Sequence, residues 1–349
     1  MTQTTATNAG GFTDRLRRFW PFGGAAAGGW SGRIGAIVAG ILLTLLLGVS
    51  WYWSREPAQL WVNWESQGAP AVKGYATTDT LIYVASTLLD KPGGYLSNDI
   101  LPPGVILDTI PNWEFGVLVQ VRDLSRVMRH DYRRTPPQAL ADPDLQEADP
   151  AYNCNPQRWI FPSTESKYRQ GIGYLESYRA RLEDSANSDT QFYARADNLR
   201  EWLAVVEKRL GDLSQRLSAS VGQRRVNTDL AGDRAAGTAT PRADDIEVKT
   251  PWLQIDDVFY EARGAAWALT HFMRAAEYDF EKVLDDKNAA VSLRQIIREL
   301  EASLAPMRSP IVLNGTGFGV TANHSLVMAS YLSRANSAVI DLRALLDQG

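Results

Sequence analysis

One loop of the chain has the composition of an anion-binding loop. Residues 314–319 read NGTGFG, and two polar residues follow at the predicted start of the last helix. Alternating glycines let backbone amides converge on an anion, and a helix N-terminus adds partial positive charge. The same glycines can instead serve only to turn the chain tightly between two helices. The residues that such a ligand site would use are Gly315, Gly317, Gly319, Asn323 and His324.

A second loop holds polar side chains between glycine and proline residues. Residues 91–104 read KPGGYLSNDILPPG, with Asn98 and Asp99 near the middle. Loops of this kind carry function more often than helix faces do, so both residues are predicted to bind a ligand. The alternative is that the loop packs against one end of a helical bundle.

No recognised catalytic, metal-binding or cofactor motif occurs in the chain. Its three histidines, His130, His271 and His324, form neither an H-E-x-x-H nor a Glu-x-x-His pattern, and there is no Walker loop or G-x-S-x-G elbow. Its one cysteine, Cys154, cannot form an intramolecular disulfide. We therefore expect no catalytic residue, no metal and no cofactor. A net charge of -4 argues against a nucleic-acid partner, which would need surplus Lys and Arg.

Two Glu-Ser pairs are the strongest sign of an enzyme. Lytic transglycosylases are helical external proteins that use a Glu followed by Ser, and Glu165 and Glu176 are each followed by Ser. A buried Glu can act as a general acid. The Gly-Leu-Met-Gln stretch of that family is missing, so we interpret both glutamates as parts of a solvated helix face.

An uncharged stretch near the N-terminus predicts a membrane helix. Residues 34–53 contain no charge and are bounded by Arg33 and Arg55. A helix of that length spans about 30 Å, the thickness of the hydrocarbon core of a bilayer. Trp51, Tyr52 and Trp53 stand together at its end, where aromatic rings prefer the headgroup level. A cleaved signal peptide is the alternative, with small residues before Trp51 at the cleavage positions.

Flanking charges predict the orientation of this helix. Residues 1–33 carry four arginines and one acid, whereas residues from Glu56 onward carry 31 basic and 39 acidic side chains, a net charge of -8. Positive flanks remain in the cytoplasm. We therefore expect a single-pass protein of the bacterial inner membrane with a cytoplasmic N-terminus and its bulk in the periplasm. Membrane lipid is the first expected partner.

Small residues recur at every fourth position of the apolar stretch. Such a ridge lets another helix backbone approach closely, which would support self-association or binding of another envelope protein. Small residues are also frequent in any membrane helix, which is the alternative reading. The ridge consists of Gly32, Ala36, Gly40, Thr44 and Gly48.

The remainder of the chain has helical periodicity, and the fold class is predicted as all-α. Three seams of apolar residues alternate in spacings of four and three, which indicates an elongated bundle with coiled-coil-like antiparallel helices. We expect one pair to be a hairpin of two helices that begin near Ser163 and Ser188, and a loop over 135–162. The predicted regions are a flexible cytoplasmic tail (1–33), the membrane helix (34–53), a periplasmic helical region (56–225), a linker or insertion (226–249) and helices of the same bundle (250–349).

Three sequence segments carry a resemblance to a known family. They are the 91–104 loop, IPNWEFGVLVQVRDLSRVMRHDYRR (110–134) and NGTGFGVTANHSLVMASYLSRANSAVIDLR (314–343). These segments are similar to the bacterial family called domain of unknown function 2333. The resemblance implies a single-pass inner-membrane protein of Gram-negative bacteria, and it brings no catalytic residues. Residues 226–249 and the extreme N-terminus are where the chain is expected to differ from its relatives.

Together these features favour a non-enzymatic scaffold or interaction protein of the cell envelope. The alternative is an enzyme or ligand-binding protein that acts on cell wall or lipid and uses the glycine loop and His324. Convergence of both loops on one pocket would favour that alternative.

Overall fold

The computed structural model of the chain describes residues 30–60, 64, 72–132, 142–184, 190–226, 245–309, 311–317 and 319–348. The chain divides into two units, residues 1–49 and 50–349. Helices dominate the described part, so the predicted all-α class is confirmed. Its two strands, β1 (Gln223–Val226) and β2 (Asp245–Val248), pair as one antiparallel hairpin.

Helix α1 (Trp30–Trp53) contains the whole predicted membrane segment. Its Gly32–Trp53 part has a mean hydropathy of 2.3 and is long and apolar enough to cross a membrane. A signal sequence near an N-terminus has the same length and composition. A Cβ added at Gly40 or Gly48 would meet no atom within 4 Å, so association through the ridge stays a prediction.

Nine further helices follow in the described residues after Trp53. They are α2 (Tyr75–Asp90), α3 (Thr109–His130), α4 (Pro143–Tyr152), α5 (Thr164–Glu183), α6 (Ala196–Ser218), α7 (Ile255–Asp279), α8 (Glu281–Asp286), α9 (Ala290–Ser303) and α10 (His324–Asp347). Core residues from α2 to α10 belong to one continuous hydrophobic cluster, which therefore includes both the 56–225 and the 250–349 regions.

Helix α7 is the centre of this cluster, and α3 lies parallel against it. The two backbones touch, because a Cβ at Gly116 would lie 2.0 Å from the Glu261 carbonyl oxygen and one at Gly264 would lie 2.0 Å from that of Trp113. Only glycine allows so close an approach at these two positions. The contact aligns the N-termini of α3 and α7 at the same end of the bundle.

The antiparallel pair that carries the heptad seams is α6 with α10, not the predicted hairpin of α5 with α6. Ser214 Oγ donates to the Ala329 carbonyl at 3.2 Å and Arg200 pairs with Asp347, which shows the opposite directions. α5 packs instead on α2 and α4. The connection from Asp184 to Arg195 is too long for a tight turn, and α10 has a seam of the same rhythm as α6.

Several predicted helix boundaries need correction. The expected loop over 135–162 contains α4, with Asp142 accepting a hydrogen bond from the Asp144 amide as its N-cap. Ser163 caps α5 as predicted. Ser188 lies outside the described residues, and α6 begins only at Ala196. The 226–249 region carries strand residues at both edges, and residues 227–244 lie outside the description.

The first turn of α2 is capped by a residue of another helix. Helix α2 begins at Tyr75 after Gly74. The cap comes from another helix: Asp279, at the end of α7, accepts hydrogen bonds from the amides of Gly74 at 2.9 Å and Thr77 at 2.7 Å. A cap supplied from 202 residues away in sequence cannot be read from local pattern.

Candidate functional site

Asn98 and Asp99 line an open groove at the end of the bundle where α3 and α7 begin. Its volume is ≈ 510 Å³. The groove has apolar and aromatic walls with an acidic group at one side. Its lining residues include Trp53, Asn98, Asp99, Trp159, Phe161 and Glu165. An aromatic groove with a few polar groups has the composition of a ligand site.

The 91–104 loop is held by a fully buried ion pair that sequence reasoning missed. Lys91 Nζ lies 2.5 Å from Glu114 Oε1, and both side chains are shielded from solvent. The Glu114 carboxylate also accepts hydrogen bonds from the amides of Leu96 at 2.8 Å and Ser97 at 2.9 Å. Burial raises the pKa of Glu114, and Lys91 opposes that rise. A Glu between Trp113 and Phe115 was the available signal, because such a residue must be paired if the helix is buried.

The ion pair of Lys91 with Glu114 holds the loop so that Asn98 and Asp99 line the groove. Asn98 Nδ2 donates to the Arg158 carbonyl at 3.1 Å, while its buried Oδ1 has no hydrogen-bond partner among the described residues. Burial and then the nearby Glu165 carboxylate raise the pKa of Asp99, against an opposing effect of Lys91. Glu165 Oε2 is also buried, and no described residue hydrogen-bonds to it. A raised pKa beside a second carboxylate favours a ligand that donates hydrogen bonds to Asp99.

Two amides of the glycine loop donate to carbonyls of the same turn. The Gly315 amide donates to the Ala322 carbonyl at 3.1 Å and the Gly319 amide to the Thr316 carbonyl at 2.7 Å. A Cβ at Gly315 would lie 2.3 Å from the Thr321 carbonyl oxygen, so the loop is closed tightly on itself. This arrangement supports the alternative in which the glycines turn the chain between α9 and α10. Phe318 lies outside the described residues, and no contact is described for the Gly317 amide.

Asn323 and His324 complete that turn. Asn323 Oδ1 accepts from the Leu326 amide at 2.9 Å, which makes Asn323 the N-cap of α10. His324 Nδ1 accepts from the Leu313 amide at 3.1 Å. The other face of His324 lines a separate cavity of ≈ 260 Å³ with Phe259 and Arg263. In the part of the chain that the structure describes, Asn98 and Asp99 therefore line one cavity and His324 lines another.

Two buried side chains fix the segment that follows α1. Arg263 forms a bidentate pair with Glu56, both at 2.7 Å. His271 Nε2 accepts from the Leu60 amide at 3.0 Å, and its Nδ1 lies 2.7 Å from the Trp267 carbonyl as the donor. Burial lowers the pKa of His271 to about 4, so the ring is neutral at pH 7. His271 is a buried structural residue.

The remaining predicted chemistry is not gathered into a site in the described residues. Glu176 is exposed on α5, as expected of a solvated helix face, whereas Glu165 faces the groove. No group of three His, Cys, Asp or Glu side chains suited to a metal is found among the residues that the structure describes. Cys154 is a half-buried free thiol whose pKa is raised by burial. Ligand binding by either loop stays a prediction.

Comparison with known proteins identifies the family but no activity. No curated protein and no solved structure matches the chain. The matched range of the family model begins at residue 26, so the extreme N-terminus lies outside it as expected, while the 226–249 region lies within it. Because residues 26–349 match the model described as an uncharacterized protein conserved in bacteria (DUF2333), the chain belongs to that family, as its loop strings suggested.

Proposed function

We propose that the protein is a membrane-anchored interaction protein of the cell envelope, with α1 in the inner membrane and the bundle in the periplasm. The observation that carries this proposal is an apolar helix that is not buried and is followed in the chain by a helical bundle with a large hydrophobic core. A non-enzymatic role is supported by the cavities of the described residues, because Asn98 and Asp99 line one of them and His324 lines another.

Topology and anchoring are tested together in cells. A phosphatase fused after residue 349 should be active, and a fluorescent protein that folds only in the cytoplasm should stay dark there. Mass spectrometry of the intact protein from carbonate-washed membranes should give a molecular mass that includes residues 30–53. A molecular mass equal to that of residues 51–349 would show that a signal peptide had been cleaved and would overturn the anchor.

The interaction role is tested by cross-linking in intact cells followed by mass spectrometry. We expect specific cross-links from the bundle to another envelope protein or to a second copy. Absence of any specific cross-link at wild-type expression would contradict the scaffold proposal. Substitution Gly40→Ile, which would block close approach along the ridge, separates contacts made through α1 from contacts made by the bundle.

A second candidate is ligand binding or cell-wall hydrolysis at the groove, and a specific observation favours it: Asn98, Asp99 and Glu165 share that groove. The variants Asp99→Asn and Glu165→Gln should then reduce muropeptide release. Glu176→Gln is the matched control because Glu176 is exposed on the same helix. Equal release in all three variants would remove a wall hydrolase.

A further inference from the structure

We propose that the end of the bundle around Trp53 lies on the surface of the lipid bilayer, with its apolar loop tips at headgroup level. This inference rests on the proposed membrane anchoring of α1. We call this region the Trp53 end and define it by Trp53 and by residues 94–108, 155–163, 248–254, 311–317 and 319–327. It adds a second contact with the membrane to the one that α1 makes.

Contacts within the bundle bring these segments to the same end. The N-termini of α3 and α7 meet where Asn112 Nδ2 donates to Asp257 Oδ1 at 2.7 Å. Residues 94–108 lead into α3 and residues 248–254 lead into α7. The start of α10 joins them, because the His324 ring lies 6.3 Å from the Phe259 ring on α7. The 155–163 loop shares the groove with residues 98–103.

Exposed apolar side chains are concentrated at this end. In the described residues after Trp53, every large hydrophobic side chain that is more than half exposed lies here, except Val291 at the start of α9. Phe161 is 89 % exposed, Trp252 77 % and Leu101 71 %. An apolar surface of this extent marks an interaction site rather than an ordinary protein surface. We therefore expect another surface to cover these apolar side chains.

The position of Trp53 identifies the bilayer as the cover. Trp53 is the last residue of the apolar helix, so if α1 spans the membrane this ring lies at the membrane interface. Within the 50–349 unit the same ring packs on the 91–104 loop, where a Cβ at Gly93 would lie 2.8 Å from it. Trp53 also shares the groove with Leu101 and Phe161. Leu101 and Phe161 are therefore neighbours of the ring at which the apolar helix ends.

The residue types suit insertion rather than attraction by charge. Tryptophan, phenylalanine and leucine are the residues that amphipathic surface helices bury at the headgroup boundary. Exposed charges of both signs lie at this end, with Arg158 and Lys249 against Asp108. We therefore expect the contact to form equally on neutral and on anionic vesicles, unlike the contact of a polybasic segment.

The test uses the full chain reconstituted in phosphatidylcholine vesicles. In a Cys154→Ser background, an environment-sensitive fluorophore is attached at Phe161→Cys or Trp252→Cys, and at Val291→Cys as the exposed control outside the Trp53 end. We expect blue-shifted emission at the first two positions, with quenching by headgroup-level nitroxide lipid several-fold greater than at the control. Water-like emission at all three would overturn the proposal. Blue-shifted emission without lipid quenching would show that a protein covers the surface and would overturn it too.

Anchoring and surface contact are distinguished in the same vesicles. Loss of the protein from the vesicles after carbonate extraction would contradict the proposed anchor itself. The double variant Leu101→Asp, Phe161→Asp should remain in the vesicles, since α1 is intact, but a fluorophore at Trp252→Cys should lose most of its lipid quenching. Unchanged quenching at that position would contradict insertion of these two tips.

Discussion

The two ends of the bundle use the same kinds of residue in opposite ways. At the Trp53 end, aromatic and aliphatic side chains project outward from loops that buried polar groups hold in place. We call the other end the Asp279 end. Three buried rings pack edge to face there, with their centroids 4.9 to 5.8 Å apart: Tyr132, Phe192 and Phe280. The exposed surface there is formed by charges such as Lys282 and Asp286.

This contrast shows that exposed apolar residues are concentrated at the Trp53 end and are not spread over the whole bundle. One hydrophobic cluster contains buried residues of helices α2 to α10. An end that faces water buries its aromatic residues, as the Asp279 end does. The outward aromatic tips of the Trp53 end therefore favour an environment other than water, in agreement with the proposed membrane contact.

The largest effect is expected from breaking the buried pair that holds the Trp53 end. Substitution Lys91→Met leaves the Glu114 carboxylate buried without its counter-charge, which should reduce the free energy of unfolding by about 3 to 5 kcal/mol at pH 7. Denaturant unfolding measures this loss. The double variant Lys91→Met, Glu114→Gln removes both charges and should recover much of it. A loss below about 1 kcal/mol in the single variant would show that the pair does not hold the loop.

A smaller loss is expected at the Asp279 end. Substitution Asp279→Ala removes the carboxylate that accepts from two backbone amides and from Thr77 Oγ1 at 2.6 Å. We expect a decrease of about 2 to 3 kcal/mol, with faster amide exchange in residues 74–78. Asp286→Ala is the matched control, since Asp286 is exposed at the same end. Equal amide exchange in the two variants would contradict the cap.

The pH dependence of stability should reveal the titration of His271, which holds the segment after α1 by accepting a hydrogen bond from the Leu60 amide. Because its folded pKa of about 4 lies below the ordinary 6.5, the unfolded state binds more protons between these values. Stability should fall by about 2 to 3 kcal/mol as the pH is lowered through that window. His271→Gln should remove this part of the slope in thermal unfolding curves. His130, exposed at the end of α3, provides the control variant His130→Gln, and equal slopes in both variants would refute the assignment.

The smallest effect has the opposite pH dependence and belongs to the Trp53 end. Burial, Asp108 and Asp256 raise the pKa of Asp257 to about 6, so this carboxyl contributes stability at low pH that is lost as the pH rises through 6. Asp257→Asn keeps an acceptor for Asn112 and should stabilise the protein at pH 7 by less than about 1 kcal/mol, because the group is partly exposed. Destabilisation at pH 7 would contradict this account.

Helices with strong periodicity were predictable, and their partners were not. The α6 and α10 seams were visible as spacings of four and three, yet a spacing pattern carries no information on which seam meets which. α4 was missed because ten residues with an internal Pro150 read as a loop. The start of α5 at Ser163 was predicted because a helix N-cap is a local feature.

The candidate site divides in the same way. Asn98 and Asp99 were recognisable from their setting between Gly and Pro, but Glu165 became their neighbour only through the packing of α5. The glycine loop was equally conspicuous in sequence, and its amides turned out to bond within the loop. Composition marks a loop as unusual, whereas hydrogen-bond partners decide what its backbone can still bind.

The sequence by itself determined the properties that depend on neighbouring residues: the apolar span, the charge difference across it, the helical class and the family. Tertiary structure alone decided the pairing of α6 with α10, the burial of Lys91 with Glu114, the capping of α2 by Asp279, and the position of Trp53 beside the exposed loop tips. These features join residues far apart in the chain, and their energies come from burial and exclusion of water. Burial is a property of the assembled core, so it is not present in any local pattern.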